Sequence, residues 1–487
     1  MAITIDDQYI DSLAPNAAAA KNGRGLLQKK KLVALYRTAD DTLIFGECAG
    51  SGKSNYQCSV DFIQQDKPVS RCTCPSRQFP CKHALAIMYA YAAGETFNEA
   101  PIPEDIASKR EKLEKREEKK EEREQSASTP AESARKKTAS KNALKKKIQA
   151  QLDGLDLLEK LTLSLVRSGL GTADKQVIKN INDHVKQMGN YYLSGAQNEL
   201  RRLSLLLADK SDPEQRYTAE VEQLSRIQAL VQKGRTHLQA RLEDSELALD
   251  TDSPIEEWLG HTWQLAELEQ YGLKQEAAEL VQLAFVSYED AGRQEFVDLG
   301  YWMEPDKDTI WRTFNYRPYR AVKHLREEDS YTGSVKVNEW YRYPGDLNPR
   351  IRWEGEIPSS LHADLLARVR QQAKGSYADA IKTVKNQLKN PLADAHPAML
   401  LHVKSTYKGN NGELYITDEQ DQQLLLGNVQ DHSFPIPGTT ELLPYIAQDG
   451  LHDAVWLGVF QHHVDTGQLL FQPLSMIGEQ EIIRLLY

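Results

Sequence analysis

Over the first hundred residues of this 487-residue chain, apolar and polar positions alternate in short runs. Lys31–Arg37, Thr42–Cys48 and Tyr56–Phe62 repeat with period two and predict three strands, the last two joined by a Gly50-Ser-Gly52 turn. Beyond residue 83 the period changes. Ala84, Leu85, Ile87, Met88 and Tyr91 fall on a helical spacing, and Gly94 supplies a stop. The predicted order is three strands, a cysteine-rich loop and a helix.

The pattern then breaks. From Lys109 to Glu124 only Leu113 is uncharged, so nothing there forms an apolar stripe, and the stretch reads as a solvated spacer. Ser133–Lys147 carries Arg135, Lys136, Lys137, Lys141, Lys145, Lys146 and Lys147 and no acid. Helical spacing returns at Ile178, Ile181, Val185, Met188 and Tyr192, and again at Leu224, Ile227 and Val231. Ser211-Asp-Pro213 and Ser253-Pro254 mark helix starts. From residue 296 strands dominate. Val335–Tyr343 alternates, and Met399–Tyr407, Gly412–Ile416, Trp456–Val464 and Gln468–Gln472 predict hairpins with turns at Gly409–Gly412 and Asp465–Gly467. One long helix is expected over Leu361–Leu388.

The expected class is α+β and multidomain. A strand, cysteine-loop and helix module occupies 1–100 and a charged flexible linker 101–147. An α-helical domain follows over 148–295 and a mixed, β-rich α/β domain over 296–487.

Composition narrows the functions. The net charge of −10 disfavours nucleic acid and anionic membrane unless a local patch attracts them. The longest apolar run, Ala84–Ala93, is far shorter than the roughly 20 residues of a membrane span, and the first residues show no secretory pattern. A soluble, cytoplasmic protein is expected. Thiols there stay reduced, so clustered cysteines point to metal rather than disulfides.

That reading bears on Arg71–His83, RCTCPSRQFPCKH, which holds three of the five cysteines. Cys72-x-Cys74, a six-residue gap and Cys81-x-His83 supply four soft or borderline ligands, the number a tetrahedral zinc ion takes. Pro75 and Pro80 bracket a tight loop that returns the chain on itself. With all four positions filled by protein, one structural ion is expected rather than a catalytic one. So small a unit buries little surface, and zinc would add about 10–16 kcal/mol of apparent folding free energy.

The segment CTCPSRQFPCKHALAIMYA resembles the SWIM zinc finger, with its C-x-C, variable gap and C-x-H. Upstream, LAPNAAAAKNGRGL and FGECAGSGKSNYQCSVDF are similar to bacterial members, and the likeness covers roughly residues 10–95. TFNYRPYRAVKHLREEDS at 313–330 adds a looser one. The resemblance implies zinc at Cys72, Cys74, Cys81 and His83. It also implies a role in DNA binding or protein contact, with an AAA+ ATPase or a von Willebrand A-type protein as the kind of neighbour.

Other signals carry less. Gly50-Ser-Gly-Lys-Ser54 imitates a phosphate loop, but Glu47 stands where its first glycine belongs and a strand follows. Cys48 and Cys58 read as core residues. Four of the seven tryptophans, Trp302, Trp311, Trp340 and Trp353, interleave with Arg312, Arg317, Arg320 and Lys323, which suggests a β-rich core edged by arginines. Asp465-Thr-Gly467 lacks the second copy an aspartic protease needs and reads as a turn. Glu327-Glu328-Asp329 has no evident catalytic mate.

Binding is therefore expected rather than catalysis. Residues 1–100 are nearly neutral, which favours a protein partner over DNA, and Arg71, Arg77, Gln78 and Lys82 are the candidate contacts. The alternative is an enzyme with its site in the C-terminal half and the finger used for targeting.

Overall fold

The computed structural model describes residues 5–14, 17–49, 55–63, 68–74, 80–103, 106–107, 110, 130–210, 213–320, 330–446 and 451–486. The expected phosphate-loop mimic, Arg77, Gln78, Lys323, Glu327–Asp329 and most of the charged spacer lie outside them. The chain divides into two units, Met1–Arg135 and Lys136–Tyr487.

The first unit opens with two helices that the alternation did not announce, α1 (Asp7–Leu13) and α2 (Ala17–Gln28). Asp6 caps α1 by accepting from the Tyr9 amide at 2.7 Å. Strands β1 (Leu32–Arg37), β2 (Leu43–Cys48), β3 (Tyr56–Asp61) and β4 (Val69–Cys72) form an antiparallel meander. A short β5 (Asn98–Glu99) adds in parallel beside β1, giving the order β4-β3-β2-β1-β5. Helix α3 (Lys82–Ala92) is buried without interruption from His83 to Ala90. Such all-round burial needs cover on both sides. The sheet provides one side through Ile44, Cys58 and Val60, and α1 and α2 the other. A Cβ on Gly23 would stand 2.9 Å from that of Leu85, so glycine lets α2 approach α3 closely. Gly94, with φ of +75°, ends α3 as expected.

One member of the charged spacer does pack. Arg110 is buried and grips Asp61 with two hydrogen bonds, Nε to Oδ2 at 3.0 Å and Nη2 to Oδ1 at 2.9 Å. It also donates to the Thr42 carbonyl at 3.2 Å. Composition alone could not reveal this, because the partner sits about fifty residues away.

Helix α4 (Pro130–Ser168), most of it in the second unit, runs helical through the expected linker end at 130–147. With α5 (Lys175–Asn190), α6 (Ser194–Ala208) and α7 (Pro213–Glu243) it encloses a core of Leu155, Leu158, Ile181, Met188, Leu200, Leu203, Ile227 and Val231. Two short helices follow, α8 (Ile255–Trp258) and α9 (Leu265–Gln270). Strands enter at β6 (Lys274–Gln275) and β7 (Ala278–Asp290), earlier than residue 296. Seven consecutive buried residues in β7 hide the period of two, leaving helix and strand alike in pattern.

β7 pairs with β8 (Glu295–Met303), β8 with β9 (Ile310–Pro318), and β7 also with β10 (Ser334–Val337). β11 (Trp340–Arg342) and β12 (Ile351–Trp353) join β6 in a small sheet, and β13 (Ile357–Ser359) edges β10. The single helix expected over Leu361–Leu388 is two, α10 (Ala363–Gln371) and α11 (Tyr377–Leu388). The break comes where Ser376 caps α11, accepting from the Asp379 amide at 3.3 Å, and where Lys374 pairs with Leu401.

A seven-stranded sheet closes the chain: β14 (Ala398–Val403), β15 (Ser405–Lys408), β16 (Leu414–Thr417), β17 (Gln423–Leu426), β18 (Ala454–His463), β19 (Gln468–Ile477) and β20 (Ile482–Arg484). The turns at Gly409–Gly412 and Asp465–Gly467 fall where expected, with Gly412 and Gly467 at positive φ. Along β18, Val455, Leu457 and Val459 face a core shared with β7 and β8, while Trp456 and Phe460 face one shared with α11. Among the described residues, no helix is long and apolar enough to cross a membrane.

Removing one member of a buried ion pair strands the other, at a cost of about 3–5 kcal/mol. Arg110→Ala should therefore destabilise the first unit on that scale in urea unfolding, while the exposed Lys82→Ala changes stability by less than about 0.5 kcal/mol. Equal stability of the two variants would contradict the anchoring role of Arg110.

Candidate metal centre

Three elements bring the metal candidates together. β4 ends at Cys72, placing its sulfur at the sheet margin, and Cys74 follows two residues later, 8% exposed. Cys81 is the N-cap residue of α3 and His83 lies in its first turn. The ligand atoms of Cys72, Cys74, Cys81 and His83 all lie within 4.8 Å of one another. The His83 Nδ1 is 3.8 Å from the Cys72 sulfur and 3.9 Å from that of Cys81. A tetrahedral zinc ion with ordinary bond lengths sets its ligand atoms about 3.5–3.8 Å apart, and a small inward shift of this donor set would match it.

The surroundings support thiolate ligation. The Cys74 amide donates to the Cys72 sulfur at 3.4 Å. Cys81 stands at a helix N-terminus, where the dipole favours negative charge. The Tyr56 ring lies 4.9 Å from the imidazole of His83 and limits its rotation. Without metal these thiols hold their protons tightly. The Cys81 thiol is pushed up to about 12 by its hydrogen bond to Cys72 and by burial. Cys72 is raised as well, chiefly by the neighbouring Cys58 thiol.

Cys58 is more than a core residue. It lies opposite Cys72 in the β3–β4 register, and the two sulfurs are 3.2 Å apart. Only the strand register, which spacing does not state, could have revealed this neighbour. Cys48 is fully buried, outside the four-ligand group. Of the candidate contacts, Lys82 is exposed, while Arg71 is half-buried and reaches Asp61 at 3.5 Å.

The fold also gathers a group the sequence hid, His402, Glu419 and Asp453. The two carboxylates sit on opposite ring nitrogens, at 3.6 Å from Nδ1 and 3.0 Å from Nε2. One ligand atom from each of the three lies within 4.8 Å of the others. Trp302, Trp311 and Trp340 are buried, and Arg312 and Arg317 are not at an edge but inside. Arg317 binds Asp298 twice, at 2.8 and 2.7 Å, and Arg312 binds Asp394 at 2.5 Å. Asp465 accepts from the Thr218 hydroxyl at 2.7 Å, which ties down the turn.

A Cys3His set folded from strand end, loop and helix start defines a zinc-finger module. The SWIM zinc finger family model matches residues 56–92, so this segment is a SWIM zinc finger. No curated protein and no solved structure matches the chain.

Zinc should bind at about one ion per chain in elemental analysis. Cys81→Ser should lose it, and Cys58→Ser should keep it, because Cys58 touches a ligand without belonging to the set. Binding must release the protons of Cys72 and Cys81, so zinc affinity should fall steadily as pH drops below neutral in a competition titration. An affinity that does not change with pH would contradict thiolate ligation.

Proposed function

We propose that the finger is a structurally zinc-stabilised interaction module and that the chain acts by binding rather than by catalysis through this metal. The observation that carries this reading is the closed donor set. Three thiols and an imidazole fill four tetrahedral positions, and a catalytic zinc keeps one open for water or substrate.

A protein is the favoured partner. The chain carries −10 overall and its finger region is nearly neutral, so electrostatics offers DNA little at that surface. By resemblance to bacterial SWIM-containing proteins, an AAA+ ATPase or a von Willebrand A-type protein is the partner to try first, in the cytoplasm. Lys82 and Arg71 beside the ligands, with Arg77 and Gln78 in the loop between them, are the proposed contacts.

Affinity capture with and without chelator, using the Arg71→Ala/Arg77→Ala/Lys82→Ala variant, tests the reading. The variant should retain zinc and lose the partner at least about tenfold, as expected when a few residues dominate an interface. Retention of the partner at full strength would refute the assigned surface. DNA binding through the basic helix segment 133–147 would instead give a log affinity against log salt slope near −6, from about −0.9 per phosphate over seven bases.

A further inference from the structure

The second unit holds a cavity of about 540 Å³ that the metal module does not explain. Its walls come from the start of α6, residues 254–263, strands β7 to β9, and the loops at 343–350, 392–396 and 433–434. Convergence of this many segments on one polar hollow is the usual anatomy of a small-molecule site, and the volume lies in the usual range.

Its hydrogen-bonding groups are unbalanced. Arg202 and Arg312 are committed to carboxylates, the first to Glu199 and Asp290, the second to Asp394. Arg350 is not. Its guanidinium lies 3.9 Å from the centroid of the Tyr343 ring, and its carboxylate neighbour, Glu257, is 3.9 Å away, beyond hydrogen-bond range. Arg293 bonds Glu295 through Nε and stacks 4.7 Å above Tyr316, a ring that Arg350 also approaches at 5.9 Å.

The cavity also holds five carboxyls. Glu199 and Asp290 take Arg202 and Asp394 takes Arg312, while burial pushes the carboxyls of Glu257 and Asp346 up, toward the neutral form. Arg293 and Arg350 stand beside a wall of rings, Phe314, Tyr316 and Phe434. Paired guanidinium groups match the oxygens of a carboxylate or phosphate, and aromatic faces match a flat ring.

We propose that this cavity binds a small metabolite carrying an oxyanion, carboxylate or phosphate, on a flat ring. Arg350 and Arg293 take the oxyanion, and the aromatic wall takes the ring.

Phenyl phosphate, benzoate and neutral phenol serve as probes against the full-length protein, read by thermal shift and calorimetry at millimolar concentration. One or both anions should stabilise the protein and phenol should not. A response to phenyl phosphate alone assigns a phosphate ligand, and to benzoate alone a carboxylate. Arg350→Ala should weaken binding about tenfold or more, the loss expected for a charge-assisted hydrogen bond. Arg293→Lys keeps the charge and removes the planar fork, so it should fold normally and weaken binding several-fold. Neither anion binding, phenol binding equally well, or unchanged affinity in both folded variants would overturn the site.

Discussion

Three thiols and an imidazole meeting within 4.8 Å at the seam of β4 and α3 are the constraint around which the first unit is arranged. Buried polar groups destabilise a fold unless each finds a partner, and four of them in one spot demand a shared one. A single divalent ion would satisfy all four at once and pin the strand end to the helix start. The rest of the unit covers that joint. α1 and α2 lie over the helix that carries Cys81 and His83, so the apolar core is larger than a bare finger would own. The metal candidates thus lie at a local seam within a unit that also has its own hydrophobic support.

What the sequence made legible follows from how local each signal is. The four ligands, the meander and α3 were readable because period, spacing and stop residues act within a dozen positions. α2 was not, since Ala17–Gln28 opens on four alanines and contains two glycines. Its reason to be helical is tertiary: the close approach at Gly23. The same holds for Arg110 and Cys58. Each looked like its neighbours in composition, and each acquired its role from a strand that folding brought alongside.

The second unit shows the limit more sharply. Its turns and hairpins announced themselves through glycine and alternation, and its tryptophans as core. The strand β7 did not, because burial on both faces erases the polar half of the pattern. Nor could the cavity be read, since Arg293, Arg350 and Trp263 come from three separate stretches and share no motif. Of the arginines expected at a rim, Arg312 and Arg317 are interior, where carboxylates hold them, and Arg320 is exposed.

The ribbon of β18 and β19 has one more consequence. Over Ala454–Phe460 and Phe471–Ile477 its alternate residues serve two different cores, so this stretch works as a party wall with no outer face. At Gly458 a single added methyl would reach the Gln472 carbonyl at 2.5 Å, so even the smallest enlargement meets backbone. A side chain enlarged here must displace main chain, whereas one enlarged on an exposed helix face meets only water.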